Sequence, residues 1–147
     1  MTTARSFSDS VKLKAVFVAF FGYLVLATLL FGIVVHFWIP PGVSPADLAH
    51  LAESDRVLLL WQNALGTVLG ICAGFIACRL SGARGLRNSA AVGGLLVLYG
   101  VLGIYLHPGH PTGMQIAKII APTPLALIGG WIALRFASGS TDKRDHA

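Results

Sequence analysis

Residues 61–82 read WQNALGTVLGICAGFIACRLSG. Gly66, Gly70 and Gly74 recur every four residues inside this apolar run, and on a helix they form one slowly drifting stripe, roughly continued by Ala77 or Cys78 and then Gly82. Lipid tails are as apolar as leucine, so a helix in a bilayer gains little by hiding leucines and more from the close backbone approach that glycine permits. The stretch predicts a transmembrane helix over about residues 57–80 on which its neighbours pack.

The chain around it has the same character. Of 147 residues, 55% are hydrophobic and 12% charged, about half the charged share of a soluble domain. Four apolar runs, at about 15–39, 57–80, 89–106 and 114–136, are long enough or nearly so to cross roughly 30 Å of hydrocarbon. The expected fold is all-α: an integral membrane four-helix bundle over 15–137, after a polar segment 1–14 and before a disordered tail 138–147. The first run is too long for a secretory signal core and ends in bulky VVHFWIPP rather than a small-residue cleavage site, so it reads as a retained span. Trp38 suits an interfacial belt, and Pro40-Pro41-Gly42 ends the helix.

Ser44-Pro45-Ala46-Asp47 reads as a helix start, predicting a short helix through about Glu53 that either lies on the membrane surface or runs into the second span. Gln62 and Asn63 fall in the first turns of that span, within reach of water or of a neighbouring helix. The short link 79–88 makes spans two and three antiparallel neighbours. Gly93 and Gly100, a heptad apart on span three, are the expected partners of the Gly66 stripe. Residues 107–113, HPGHPTG, read as a tight turn, and Pro122-Thr123-Pro124 predicts a kink or short break in the fourth span. Lys118 is expected one turn inside the start of that span, snorkelling outward. Cys72 and Cys78 lie about 9 Å apart along one helix axis on different faces, so they do not bridge and read as small buried interface residues.

Nine of the eleven Lys and Arg fall on one side of this topology: Arg5, Lys12 and Lys14, then Arg79, Arg84 and Arg87, then Arg135, Lys143 and Arg144. Arg56 and Lys118 are left on the other. The positive-inside rule then predicts both termini in the cytoplasm, with the 40–56 loop and the HPGHPTG turn outside. The net charge of +5 follows the span ends and points to lipid contact and orientation, not nucleic acid.

No Asp, Glu or Arg lies at mid-depth, which counts against a self-sufficient ion-coupled pump. HExxH, CxxC, phosphate-loop and GxSxG motifs are absent, so the common motif-bearing enzymes have no support, and no cofactor is expected. One constellation has ligand chemistry. His36, His50, His107 and His110 all fall on the outer side with Asp47, Glu53 and Asp55, and three such groups could close on Zn, Ni or Cu. Against this, histidine is a common interfacial residue.

ALGTVLGICAGFIACRLSG (64–82), the basic link, the Gly-rich third span and a proline before LALIGGWIALR (125–135) resemble a loose group of small bacterial four-span inner-membrane proteins. The resemblance covers about residues 45–137 and implies a multi-pass protein of the bacterial cytoplasmic membrane. The group has no assigned activity or site residues to carry over. The leading expectation is a non-enzymatic membrane protein packing through Gly66, Gly70, Gly74, Gly93 and Gly100, as a homo-oligomer or an accessory subunit of another membrane protein. The alternatives are a small passive channel or transport component, with its path between copies or beside the proline break, and the outward histidine metal site.

Overall fold

The computed structural model describes residues 12–44, 47, 50, 51, 54–81, 85–106 and 112–138. Five helices carry the described chain: α1 (Leu13–Trp38), α2 (Arg56–Ser81), α3 (Gly85–Leu106), α4 (Thr112–Ile120) and α5 (Pro122–Ser138). There is no strand among the described residues. By length and composition α1, α2 and α3 are each able to cross a membrane, with mean hydropathies of 2.5, 1.7 and 1.9.

Helix α1 ends as its sequence dictates. The Ile39 amide donates to the Val35 carbonyl (2.9 Å), and Pro40 then stops the ladder. Gly42 follows at φ +93°, a left-handed turn conformation that glycine adopts without steric cost. The Ser44 hydroxyl accepts the Asp47 amide (3.2 Å) and donates to the Asp47 carboxylate (2.7 Å), the reciprocal bonding of a helix start. The second span has its own cap. Asp55 is non-helical, and one carboxylate oxygen accepts the amides of Val57 (2.7 Å) and Leu58 (3.1 Å). Asp55 therefore separates whatever precedes it from α2.

At the other end of α2 the helix runs to Ser81, and α3 starts at Gly85. This corrects the expected link: Arg79 and Arg87 stand on helices, and third-span helix begins four residues before Ser89. The backbone stays helical beyond the apolar run because long arginine side chains carry their charge to water without unwinding it. Gly85 permits the tight return, since a side chain there would run into the buried Cys78. Cys72, by contrast, is exposed on the outer surface of α2 and is not an interface residue within the chain.

The centre is built from small residues. Val16 and Ala19 of α1, Ala73 and Ala77 of α2, and Val92 and Leu96 of α3 form one buried cluster. Helices α1 and α5 both pack on α2 and α3, while α4 packs mainly on α3. Phe17, Phe21, Val25, Leu29 and Ile33, four residues apart along α1, are all exposed. Such a stripe would be a liability in water; in a bilayer it is the lipid-facing surface.

Two polar residues on α3 are fully buried and tie this centre together. The Asn88 side-chain oxygen accepts the Lys12 amide (2.8 Å), satisfying an N–H at the start of α1 that no intrahelical carbonyl can reach. The Ser89 hydroxyl donates to the Gly74 carbonyl of α2 (2.8 Å), with the Gly85 carbonyl 3.2 Å away.

The expected fourth span is two helices. Ala121 is the single non-helical residue between α4 and α5. Pro122 offers no N–H to the Lys118 carbonyl and Pro124 none to that of Ile120, and a residue before proline is pushed out of the helical region. Pro122 then sits at the first position of α5, where its fixed φ suits a helix start. The ladder is kept on either side: the Ala121 amide donates to the Ala117 carbonyl (2.9 Å) and the Leu125 amide to the Ala121 carbonyl (3.1 Å).

Candidate functional site

The glycines sort into two sets by what a side chain would meet. A Cβ on Gly74 would collide with the Ala126 backbone, its Cα and carbonyl carbon both at 2.6 Å. One on Gly129 would meet the Ile71 carbonyl and the Phe75 amide (2.8 Å). Helices α2 and α5 thus cross backbone to backbone. Gly93 stands 2.7 Å, by the same measure, from the Thr123 Cα, and Gly100 2.7 Å from the Lys118 carbonyl oxygen. Both glycine faces therefore receive the broken fourth segment; Gly93 and Gly100 are not partners of the Gly66 stripe. The reason is volume: a proline-interrupted segment with exposed carbonyls needs bare backbone on both sides, and α2 and α3 each supply it.

The second set borders empty space. Gly66 has only the Tyr23 hydroxyl within 4 Å of a Cβ (3.9 Å), Gly103 has nothing, and Gly70 has ordinary contact with Leu125 (3.7 Å). These glycines line a partly open cleft of about 490 Å³. It runs between α2 and α3, from Tyr23 of α1 on one side to Lys118 of α4 on the other, with Ala121 and Pro122 at the break also on its wall. Since α4 leans on α3, the fourth segment stays clear of α2 above Ala121, and the cleft occupies the gap.

Depth follows from helix rise. The α3 residues on the wall extend from Leu106 down to Leu96, about 15 Å along the axis, or half of a hydrocarbon layer of roughly 30 Å. Below that level the Gly74–Ala126 crossing, the Ser89 bond and the small-residue cluster fill the interior. The cleft thus extends along roughly that length from the Leu106 end of α3.

Its lining is amphipathic. Leu96, Leu102, Leu106 and Leu125 supply apolar wall, while Tyr23, Tyr99, Gln62 and Asn63 supply hydroxyl and amide groups. The Thr67 hydroxyl donates to the Asn63 carbonyl (2.8 Å). Lys118 is the only Lys or Arg, and no Asp or Glu joins it, among the described lining residues. Lys118 lies beside Gly100, six residues or about 9 Å from the last residue of α3.

The predicted metal ligands do not assemble among the described residues. His36 is exposed at the end of α1, its ring edge-on to Phe37 (5.3 Å). His50 is exposed, and its carbonyl accepts the Ser54 hydroxyl (2.8 Å). His107 and His110, and Glu53 with them, lie outside the described residues. No three His, Cys, Asp or Glu side chains come together among those described.

The sequence places Gln62 and Asn63 in the first turns of the second span, within reach of water or a neighbouring helix, and Lys118 one turn inside the fourth; it singles out neither Tyr23 nor Tyr99. The available signal was depth. Tyrosine in a span is expected at the interface, yet Tyr23 sits near the middle of the 26-residue α1. No protein-family model, curated protein or solved structure matches the chain.

Proposed function

We propose that the chain is a multi-pass protein of a bacterial cytoplasmic membrane, and that it works as a small passive transport or solute-binding component through the cleft beside the helix break. In this reading α4, Ala121 and α5 together make the fourth crossing. The 17 residues of α5 reach only about 25 Å, so α4 is needed to complete roughly 30 Å. The bundle then has four crossings with both termini cytoplasmic, because the Lys and Arg count favours that side. The cleft, at the Gln62 and Leu106 end, opens outward.

The single observation behind this reading is the partly open cleft lined by both apolar and polar groups at the discontinuous segment. Broken helices in membranes are tolerated where they line a cavity, and transporters place their binding sites at such breaks. The oligomeric or accessory-subunit reading draws less from the same glycines, since Gly74, Gly93 and Gly100 are taken up by the chain's own fourth segment.

The test is solute flux into proteoliposomes, for ions and small neutral and anionic solutes. Gly66→Leu and Gly103→Leu place side chains into open space, so both variants are expected to fold and to lower flux more than tenfold. Absence of flux above empty liposomes for every solute would overturn the transport role.

A further inference from the structure

The levels of the polar groups on the cleft wall select its occupant. We propose that the cleft binds one compact neutral amphiphile, a medium-chain alcohol being the simplest, with its hydroxyl at Tyr23 and Tyr99 and its apolar body on the leucine floor; this rests on reading the cleft as a solute site. The bond from the Ser89 hydroxyl to the Gly74 carbonyl (2.8 Å) fixes the register of α2 against α3. From there Gly66 stands eight residues, about 12 Å, toward the Arg56 end of α2, and Tyr99 ten residues, about 15 Å, toward the Leu106 end of α3. The Tyr23 hydroxyl comes within 3.9 Å of a Cβ on Gly66. Both tyrosines of the wall therefore sit at one level. Leu96, about 10 Å from Ser89 along α3, lies below them, and Leu125, against Gly70 at 3.7 Å, lies lower still.

The chemistry of the wall calls for a neutral head. Neither tyrosine hydroxyl is hydrogen-bonded to another group among the described residues, and the same holds for the side-chain amides of Gln62 and Asn63. Polar groups held away from water cost free energy until a partner satisfies them. A hydroxyl both donates and accepts, so a ligand hydroxyl can take a bond from one tyrosine and give one to the other. A charge has no such place. The described lining holds no Asp, Glu or Arg, and Lys118 already has an interaction partner, so an entering ion would be left uncompensated. Size follows from the floor. The crossing of Gly74 with Ala126 closes the interior about 12 Å below Gly66, whereas the acyl chains of one leaflet reach about 15 Å. A medium-length chain fits below the tyrosines, and a volume of about 490 Å³ lies in the range of about 300–1,000 Å³ typical of sites for one small molecule.

The experiment photolabels the full chain in phosphatidylcholine nanodiscs with 3-azioctanol, an octanol bearing a diazirine, and maps the adducts by mass spectrometry. The expected result is saturable labelling of cleft-wall residues, at one adduct per chain, that unlabelled octanol suppresses. Octane and octanoate at matched membrane concentration should compete at least tenfold more weakly. Equal competition by octane would show that the hydroxyl is not read, and equal competition by octanoate that charge is accepted; either overturns the proposal. Labelling that does not saturate, or that falls only on the exposed stripe of α1, is partitioning into lipid and overturns it too. Gly66→Leu fills open space and should abolish the saturable label. Tyr23→Phe deletes one hydroxyl and should weaken it about threefold or more, the worth of one neutral hydrogen bond. Because the competitions use the unmodified chain, they decide even if a variant fails to fold. Flux of another solute without saturable labelling sinks the amphiphile assignment and leaves the cleft reading intact. Absence of both flux and saturable labelling removes both.

Discussion

At the scale of single residues, a glycine in this chain is either a contact or a void. Gly74 and Gly129 each face a neighbouring backbone that cannot move aside. Gly74→Ala and Gly129→Ala should therefore destabilise by about 1–3 kcal/mol, the usual range for overpacking. Gly94 has nothing within 4 Å of a Cβ, and Gly94→Ala should be neutral or mildly stabilising. Ser89→Ala removes one interhelical hydrogen bond, worth only about 0.6 kcal/mol on average in a membrane, so it should cost less than either clash. Unfolding by titration with a denaturing detergent would rank all four; equal stability of Gly74→Ala and Gly94→Ala would remove the distinction. The spacing of the glycines was legible in the sequence, because helical periodicity fixes which of them share a face. Which helix would cover them was not, since Gly93 and Gly74 offer equally bare surfaces and only the assembled volumes show that the broken segment takes both.

Asp55 is a residue whose effect depends on pH. The Leu58 amide, then the Val57 amide and the Trp38 indole, hold its carboxyl below the ordinary range, against a partial opposing effect of burial. A carboxyl with a lowered folded-state pKa stabilises above its unfolded value of about 3.9. That contribution is lost as pH falls through the folded value. The bond also ties the end of α1 to the start of α2. The indole proton resonance of Trp38 should move on acidification below about pH 4, and Asp55→Asn should abolish that transition. A Trp38 titration unchanged in the variant would mean that another group reports. The cap is legible in the sequence as an Asp just ahead of an apolar run, but Ser44-Pro45-Ala46-Asp47, eleven residues earlier, is the fuller helix-start pattern and marks a start of its own.

At the scale of elements, the broken segment decides the shape of the interior. The prolines announced an interruption, and it falls at Ala121, one residue before the first of them. The course of α4 beyond the break could not be read from the sequence, because it depends on Gly100 admitting the Lys118 carbonyl to the α3 surface. Replacing both Pro122 and Pro124 by Ala returns two N–H donors to the ladder and frees Ala121 to become helical. Spin labels at Ile116 and Leu127, both exposed, would then be separated by about 16 Å of straight helix. The natural chain should give a different mean distance and a broader distribution. Identical distances would show that the break has another cause, and the cleft would then need a different origin. At the far end of α5, Arg135 lies over the Trp131 ring at 4.2 Å, one turn away. That pair suits an interfacial anchor, which would leave α4 as the part of the segment free to vary.

For the whole molecule, the number of crossings sets the topology. Three helices are long and apolar enough without help, and the fourth crossing is proposed from the joint length of α4 and α5. Two topologies follow. If α4 and α5 span together, Gly113 and Phe136 lie on opposite sides of the membrane. If α4 lies along the surface and α5 dips in from the same side, the two share a side. A cysteine at each position, reacted with a membrane-impermeant maleimide in intact and then permeabilised cells, separates these cases. Exposed Ser44 and Arg87 serve as references for the outer and inner sides. The native thiols should not interfere, because Cys78 is buried and Cys72 faces what would be lipid, where a thiolate does not form. The expected pattern is labelling of Ser44→Cys and Gly113→Cys from outside, with Arg87→Cys and Phe136→Cys only after permeabilisation. Gly113→Cys reacting together with Phe136→Cys would rule out the fourth crossing. The cleft would then no longer stand beside a fourth crossing, and the proposed transport role would fall with it.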